Sequence, residues 1–158
     1  MIAVYAGSFD PITRGHYDLI SRAASIFENV MVVVGVNPSK KGNLLCTQDR
    51  VNLIDEVCKD LPNIEATFWE GPIVDFCMDV GARVLLRGLR AVTDFEVELG
   101  MSQVNARLEP DIQTFFMPTS PEFSFVSSST VRELIRLGKD ISYYVHPAVS
   151  ALFKLKPM

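Results

Sequence analysis

Five short apolar runs are spaced along this chain: Ile2–Ala6, Val30–Val36, Ile64–Phe68, Arg83–Leu86 and Gln113–Met117. Between them, apolar residues recur at three- and four-residue steps, which is helical spacing. Leu19, Ile20, Ala23, Ala24 and Phe27 make one such face; Val51, Ile54, Val57, Cys58 and Leu61 make a second; Ile73, Phe76, Cys77 and Val80 make a third. Strands that alternate with helices predict βαβ crossovers and a mainly parallel sheet. The runs are rich in Val, Ile and Leu rather than cleanly alternating, as strands covered on both faces are. A further helix is predicted over Thr130–Leu137, where Thr130-x-x-Glu133 reads as a capping box, and another after Pro147. No repeat, low-complexity tract or long linker breaks the pattern. The expectation is one doubly wound α/β domain over residues 1–158, a five-stranded sheet with helices on both faces.

Composition removes several function classes. With 48% hydrophobic and 22% charged residues in 158, the chain is expected to fold as a soluble globule with a substantial core. A formal net charge of -4 argues against duplex nucleic acid as the main partner. The longest near-apolar run, Val30–Val36, is too short to span a bilayer. The first residues lack a basic stretch followed by a long apolar one, so no secretion signal is expected. Cys46, Cys58 and Cys77 form no CxxC pair and leave an odd count, which reads as reduced thiols in a cytoplasmic protein.

Four clusters follow strand ends or open helices. The first is Ala6-Gly7-Ser8-Phe9-Asp10-Pro11-Ile12-Thr13-Arg14-Gly15-His16, a tight turn between the first strand and the first helix. A helix N-terminus offers free N–H groups and a positive dipole end to a phosphate. His16 sits three residues before Leu19, on the packed side of the first turn, where an imidazole can donate to a phosphate oxygen as charge builds. The second is Asn37-Pro38-Ser39-Lys40-Lys41-Gly42, just past the second strand. Lys40 reads either as a solvated loop lysine or as an anion holder at the sheet's carboxyl edge. The third runs from Arg87 to Glu98, just past the fourth strand. Arg87 and Arg90 read either as salt-bridge partners of the acids that follow or as a bidentate phosphate clamp, with Glu98 facing solvent or a ribose. The fourth, Phe123–Glu133, gathers hydroxyls before a helix, which suits caps and phosphate sites alike. There is no GxGxxG, P-loop or G-x-S-x-G elbow, and Gly138-Lys139 is followed by Asp140. His146 reads as a surface or helix-start residue. Two histidines and three scattered cysteines give no metal-ligand spacing.

These strings resemble a known family. Thr13-Arg14-Gly15-His16 matches the (T/H)-x-G-H element of the nucleotidyltransferase superfamily. The Gly-Ser-Phe-Asp-Pro before it, the R-G-L-R-A-x-x-D-F-E-x-E string from Arg87, and the S-F-x-S-S-S-x-V-[RK]-E string from Ser124 are similar to bacterial phosphopantetheine adenylyltransferases. The resemblance covers residues 1 to about 150 and implies a Rossmann-like fold. It also implies transfer of an adenylyl group from ATP to 4'-phosphopantetheine, giving dephospho-coenzyme A and pyrophosphate in coenzyme A synthesis. It implies magnesium carried on the ATP phosphates without dedicated protein ligands, feedback binding of coenzyme A, and a homohexamer. Carried over residue by residue, it places Ser8, Lys40, Ile73 and Arg87 on phosphopantetheine. It places Ser8, Phe9, His16, Gly88, Leu89, Arg90 and Glu98 on ATP, with Phe123, Ser124, Phe125, Val126, Ser127, Ser128 and Ser129. His16, Lys40, Arg87 and Arg90 become the catalytic set. Ser8 often stands as Thr in the family, and Phe123 as Trp or Tyr; the second change removes any hydrogen bond from that ring.

The mechanism expected is direct in-line attack of the pantetheine phosphate on the α-phosphorus, with His16 stabilising the transition state. The nearest alternative is a sister transferase acting on nicotinamide mononucleotide or a polyol phosphate, which would share Thr13–His16 but not the Arg87–Glu98 string. A silent nucleotide sensor and a flavodoxin-like redox protein are the more distant alternatives.

Overall fold

The computed structural model describes residues 1–154. Five strands among these residues form one sheet: β1 (Ile2–Gly7), β2 (Asn29–Val36), β3 (Ile64–Glu70), β4 (Val84–Leu89) and β5 (Gln113–Pro118), in the order β3-β2-β1-β4-β5. Every pairing is parallel, so the sheet goes beyond the mainly parallel one predicted. Among the described residues, six helices connect and follow the strands: α1 (Arg14–Ala24), α2 (Thr47–Val57), α3 (Ile73–Val80), α4 (Val92–Leu108), α5 (Ser128–Arg136) and α6 (Pro147–Lys154). A 3-10 turn over Pro121–Phe123 precedes α5.

Successive strand residues point to opposite faces, and both faces are apolar because both are covered. Ala3, Tyr5, Val32, Val34, Val84 and Leu86 pack with the helix residues Leu19, Ile54, Val131 and Val149. Their neighbours Val4, Ala6, Val33 and Leu85 pack with Val74, Phe76 and Cys77 of α3 on the other face. The faces predicted for α1, α2 and α3 are the ones that pack inward. Burial of each such aliphatic side chain is worth about 1.5–3 kcal/mol. Cys58 and Cys77 lie in these cores, and burial pushes their thiols up to about 12 and about 11, while Cys46 is exposed.

Two boundaries differ from expectation. β4 does not stop at Leu86: Arg87, Gly88 and Leu89 continue the strand, paired with Phe116, Met117 and Pro118 of β5. The arginine–glycine segment is therefore sheet, not loop, because β5 extends alongside it. The α5 cap is Ser127 rather than Thr130. Ser127 has the extended backbone of an N-cap, and its hydroxyl accepts from the Thr130 N–H at 3.1 Å. Glu133 is thereby freed from capping and pairs with Arg136.

The ladder between β1 and β4 ends at Tyr5 and Leu86, while β4 and β5 stay paired to Leu89 and Pro118. The chain leaves β1 toward β2 and leaves β4 toward β5. The loops after these neighbouring strands therefore diverge, and a crevice opens at the switch point. Gly88 borders it. A Cβ there would lie 2.8 Å from Leu19 Cδ1 and 3.6 Å from the Tyr5 hydroxyl. Leu19 is fully packed, so there is little space to yield. Gly88→Ala is expected to lower stability by about 1–3 kcal/mol. A reduced urea midpoint at unchanged slope would register it.

Candidate active site

A cavity of about 620 Å³ occupies the crevice. The β1–α1 turn supplies Ser8, Thr13 and His16; the β2–α2 loop supplies Lys40; β4 and the residues after it supply Arg87, Gly88 and Arg90; α4 supplies Glu98; the start of α5 supplies Val126, Ser127, Ser128 and Ser129. Residues from all four predicted clusters thus share one cavity.

His16 is held by its own helix. Thr13 caps α1: its hydroxyl accepts the His16 backbone N–H at 3.3 Å, and its backbone N–H donates to His16 Nδ1 at 3.0 Å. This reciprocal cap fixes the tautomer, since an Nδ1 that accepts leaves the proton on Nε2. Burial, reinforced by the Arg90 charge, lowers the imidazole pKa to about 4. The neutral ring therefore carries one N–H donor not used by the cap. Phe9 braces it from behind with ring centroids 4.9 Å apart, and lies edge-on to Tyr5 at 5.4 Å. Phe9 is buried with φ 45°, an unusual backbone for a non-glycine residue, held by that packing.

The two arginines realise part of each reading offered by the sequence. Arg87 forks onto Glu98, with Nε–Oε2 at 2.6 Å and an Nη2 donor to Oε1 at 2.7 Å; its Nη1 donates to the Ala6 carbonyl at 2.7 Å. Arg90 pairs more loosely with Asp94 at 3.4 Å. Both are salt-bridged to the acids that follow them, and both still line the cavity. Lys40 and Arg132 line it without a carboxylate partner among the described residues. Four cations against the two carboxylates Asp94 and Glu98 leave a surplus of positive charge suited to phosphates. Tyr5 adds a hydroxyl whose pKa burial raises to about 12, so it stays protonated.

Other sequence-predicted residues lie outside the lining. Ile73 opens α3 and packs on the opposite core face. Leu89 ends β4, and Phe9 sits behind the wall. Phe123 ends the 3-10 turn with its Cβ near Gly15, Ser124 follows it, and Phe125 is exposed and stacked on Tyr143 at 5.9 Å. His146 is a helix-start residue, its Nδ1 accepting the Ala148 N–H at 3.1 Å. Arg132 was not singled out from the sequence. It reaches the cavity from α5, with Nη1 on the Asp10 carbonyl at 2.8 Å and Nη2 on Ser129 Oγ at 3.2 Å. Its signal was available, since it stands four residues after Ser128 and shares that face of the helix. Tyr5 and Thr119 carried no such signal, because only the sheet order brings strand ends together. Among the described residues, no group of three or more His, Cys, Asp and Glu side chains is placed to hold a metal ion.

Comparison with known proteins agrees with this geometry. Residues 4–134 match the family model described as cytidylyltransferase-like. The chain is 47% identical over 150 residues to the phosphopantetheine adenylyltransferase of Heliobacterium modesticaldum, covering 95% of this chain and 89% of that one. It is 42% identical over 149 residues to the phosphopantetheine adenylyltransferase of Caldanaerobacter subterraneus subsp. tengcongensis, covering 94% and 92%. Two solved structures share the fold. One is a putative nicotinate-nucleotide adenylyltransferase from Vibrio parahaemolyticus, with a TM-score of 0.69 at 20% identity over 97% of this chain and 91% of that one. The other is Plasmodium falciparum nicotinic acid mononucleotide adenylyltransferase complexed with NaAD, with a TM-score of 0.70 at 16% identity over 98% of each chain. A cytidylyltransferase-like fold, a (T/H)-x-G-H histidine in a cationic crevice and this degree of identity over nearly the whole chain make it a member of the phosphopantetheine adenylyltransferase family.

Proposed function

We propose that this chain transfers the adenylyl group of ATP to 4'-phosphopantetheine, releasing pyrophosphate and forming dephospho-coenzyme A. The carrying observation is the shared cavity of His16, Lys40, Arg87, Arg90 and Arg132, into which the α5 hydroxyls also open. Two anionic reactants repel each other in water, and such a cavity offsets that repulsion while fixing their approach.

The pantetheine phosphate oxygen attacks the α-phosphorus of ATP in line. The bond from that phosphorus to the bridging oxygen breaks, and pyrophosphate leaves with the electron pair. No enzyme nucleophile is needed. Lys40 and Arg87 orient the attacking phosphate. His16 donates its Nε2–H to an α-phosphate oxygen as charge accumulates there. Arg90 and the hydroxyls of Ser127, Ser128 and Ser129 hold the departing pyrophosphate. The magnesium implied by the resemblance fits as a cation carried on phosphate oxygens, because Glu98 and Asp94 are committed to Arg87 and Arg90. Coenzyme A carries the same pantetheine arm as the acceptor and would compete at this cavity.

The remaining expectations rest on the surface. No helix among the described residues is long and apolar enough to cross a membrane, and we take the chain to work in the cytoplasm. α4 buries none of its residues, yet it exposes Val97, Met101, Val104 and Leu108 along its length. A bare apolar helix of this kind supports self-association, for which the family's hexamer is the assembly proposed. Met101→Glu is then expected to shift the protein to smaller species in sedimentation; an unchanged distribution would remove α4 from the interface.

Two assays test the chemistry. Protein, ATP and magnesium should release pyrophosphate with 4'-phosphopantetheine and not with nicotinamide mononucleotide; the opposite preference would favour the sister transferase. His16→Ala should reduce kcat by about a hundredfold or more with little change in ATP binding. Because the His16 pKa is depressed from 6.5 to about 4, the imidazole is neutral above pH 5. The kcat profile should therefore show no inflection near pH 6.5 that disappears in His16→Ala. The same depression makes the unfolded chain bind the extra proton between these values. Its contribution to stability is present above pH 6.5 and is lost as pH falls toward 4.

A further inference from the structure

Two ionisable side chains lie buried beside the cavity without lining it. Asp10 and Arg50 are each 3% exposed. Neither forms an ion pair among the described residues. A buried charge is costly unless it is hydrogen-bonded, so its partners reveal its role. Both Asp10 carboxylate oxygens accept backbone N–H groups: Oδ2 from Leu44 at 2.8 Å and Oδ1 from Leu45 at 2.9 Å. Arg50 donates to the Ser8 carbonyl at 2.9 Å and to Thr47 Oγ1 at 3.2 Å. Both bonds to the Asp10 carboxylate join the β1–α1 turn to the end of the β2–α2 loop, and the Arg50 bond to Ser8 ties the first turn of α2 to the same turn. Lys40 lies on that segment, between the end of β2 at Val36 and the tethered Leu44.

The backbone of Asp10 does something different. Its carbonyl accepts from Arg132 Nη1 at 2.8 Å. One residue thus holds the lysine loop through its side chain and the α5 arginine through its main chain. Lys40 is exposed and carries a flexible stem, so its placement is only as definite as the backbone beneath it.

We infer that Asp10 is a positioning residue for the acceptor side of the reaction: its carboxylate latches the lysine loop onto the β1–α1 turn and so sets where Lys40 meets the incoming phosphate. The inference rests on the adenylyl-transfer reading, in which Lys40 orients that phosphate. Asn in place of Asp keeps the shape but offers one oxygen where two N–H groups need acceptors, and turns an NH₂ toward the second.

Asp10→Asn is expected to raise KM for 4'-phosphopantetheine about tenfold. KM for ATP should move by less than about twofold, because Arg132 keeps its carbonyl. In a Lys40→Ala background the same substitution should add nothing, since the effect passes through the lysine. Additive losses in the double variant, or equal losses on both substrates, would overturn the latch. Amide exchange on the unsubstituted protein gives a readout that needs neither activity nor a folded variant. The Leu44 and Leu45 amides should exchange at least about tenfold more slowly than those of Lys41 and Gly42; a common rate across the loop would overturn the inference. An unsubstituted protein that releases no pyrophosphate with ATP and 4'-phosphopantetheine would instead refute the adenylyl-transfer reading, and the exchange rates would still decide the latch.

Discussion

The structure depends on the place where β1 and β4 stop pairing. Their ladder closes at Tyr5 and Leu86. One step later, Arg87 reaches across the widening gap and donates to the Ala6 carbonyl at 2.7 Å. A side chain replaces the missing ladder bond, so the crevice opens without an orphaned backbone acceptor at that point. The same guanidinium is clamped by Glu98 from α4. The cation at the heart of the cavity is therefore also a structural joint between two strands and a helix. Its position is set by hydrogen bonds on three sides before any ligand arrives, which is the preorganisation that charge stabilisation requires.

His16 shows the same economy by a different route. A helix N-terminus must find partners for its free N–H groups. Here Thr13 and His16 satisfy each other, and the satisfaction leaves the imidazole neutral with its proton on Nε2. In the proposed reaction, capping and the preparation of His16 for its role are one arrangement. Phe9, in a backbone conformation that costs free energy, is retained because its ring supports both Tyr5 and His16.

The positive charge of the cavity is partly neutralised in advance. Arg87 and Arg90 each hold a carboxylate, while Lys40 and Arg132 hold none among the described residues. A fully unpaired cluster of four cations would repel itself and weaken the fold. Pairing two of them keeps the field positive without that penalty. The two unpaired cations are tied to the rest of the site through Asp10, whose carboxylate holds the loop bearing one and whose carbonyl holds the other.

Much of this was legible in the chain itself. Periodicity identified the five strands and the faces of α1, α2 and α3, because burial imposes spacing wherever a helix or strand has one core side. The four clusters were visible because phosphate chemistry favours few residue types and places them just after strands or just before helices. The exposed apolar α4 could not be read as an amphipathic helix, since Val97, Met101, Val104 and Leu108 mark one face while Val92, Phe95 and Leu99 stand on the opposite one. The end of β4 is not legible in the sequence, because strand length depends on what lies alongside, and β5 is more than twenty residues further on. By itself, the sequence determined the elements, their alternation and the chemical inventory of the site, all of which follow from local spacing and side-chain type. Only the tertiary structure decided which strands neighbour one another, that Arg87 forks onto Glu98, and that Asp10 binds the lysine loop. Those contacts join residues distant along the chain, and their geometry exists only once the sheet order has been fixed.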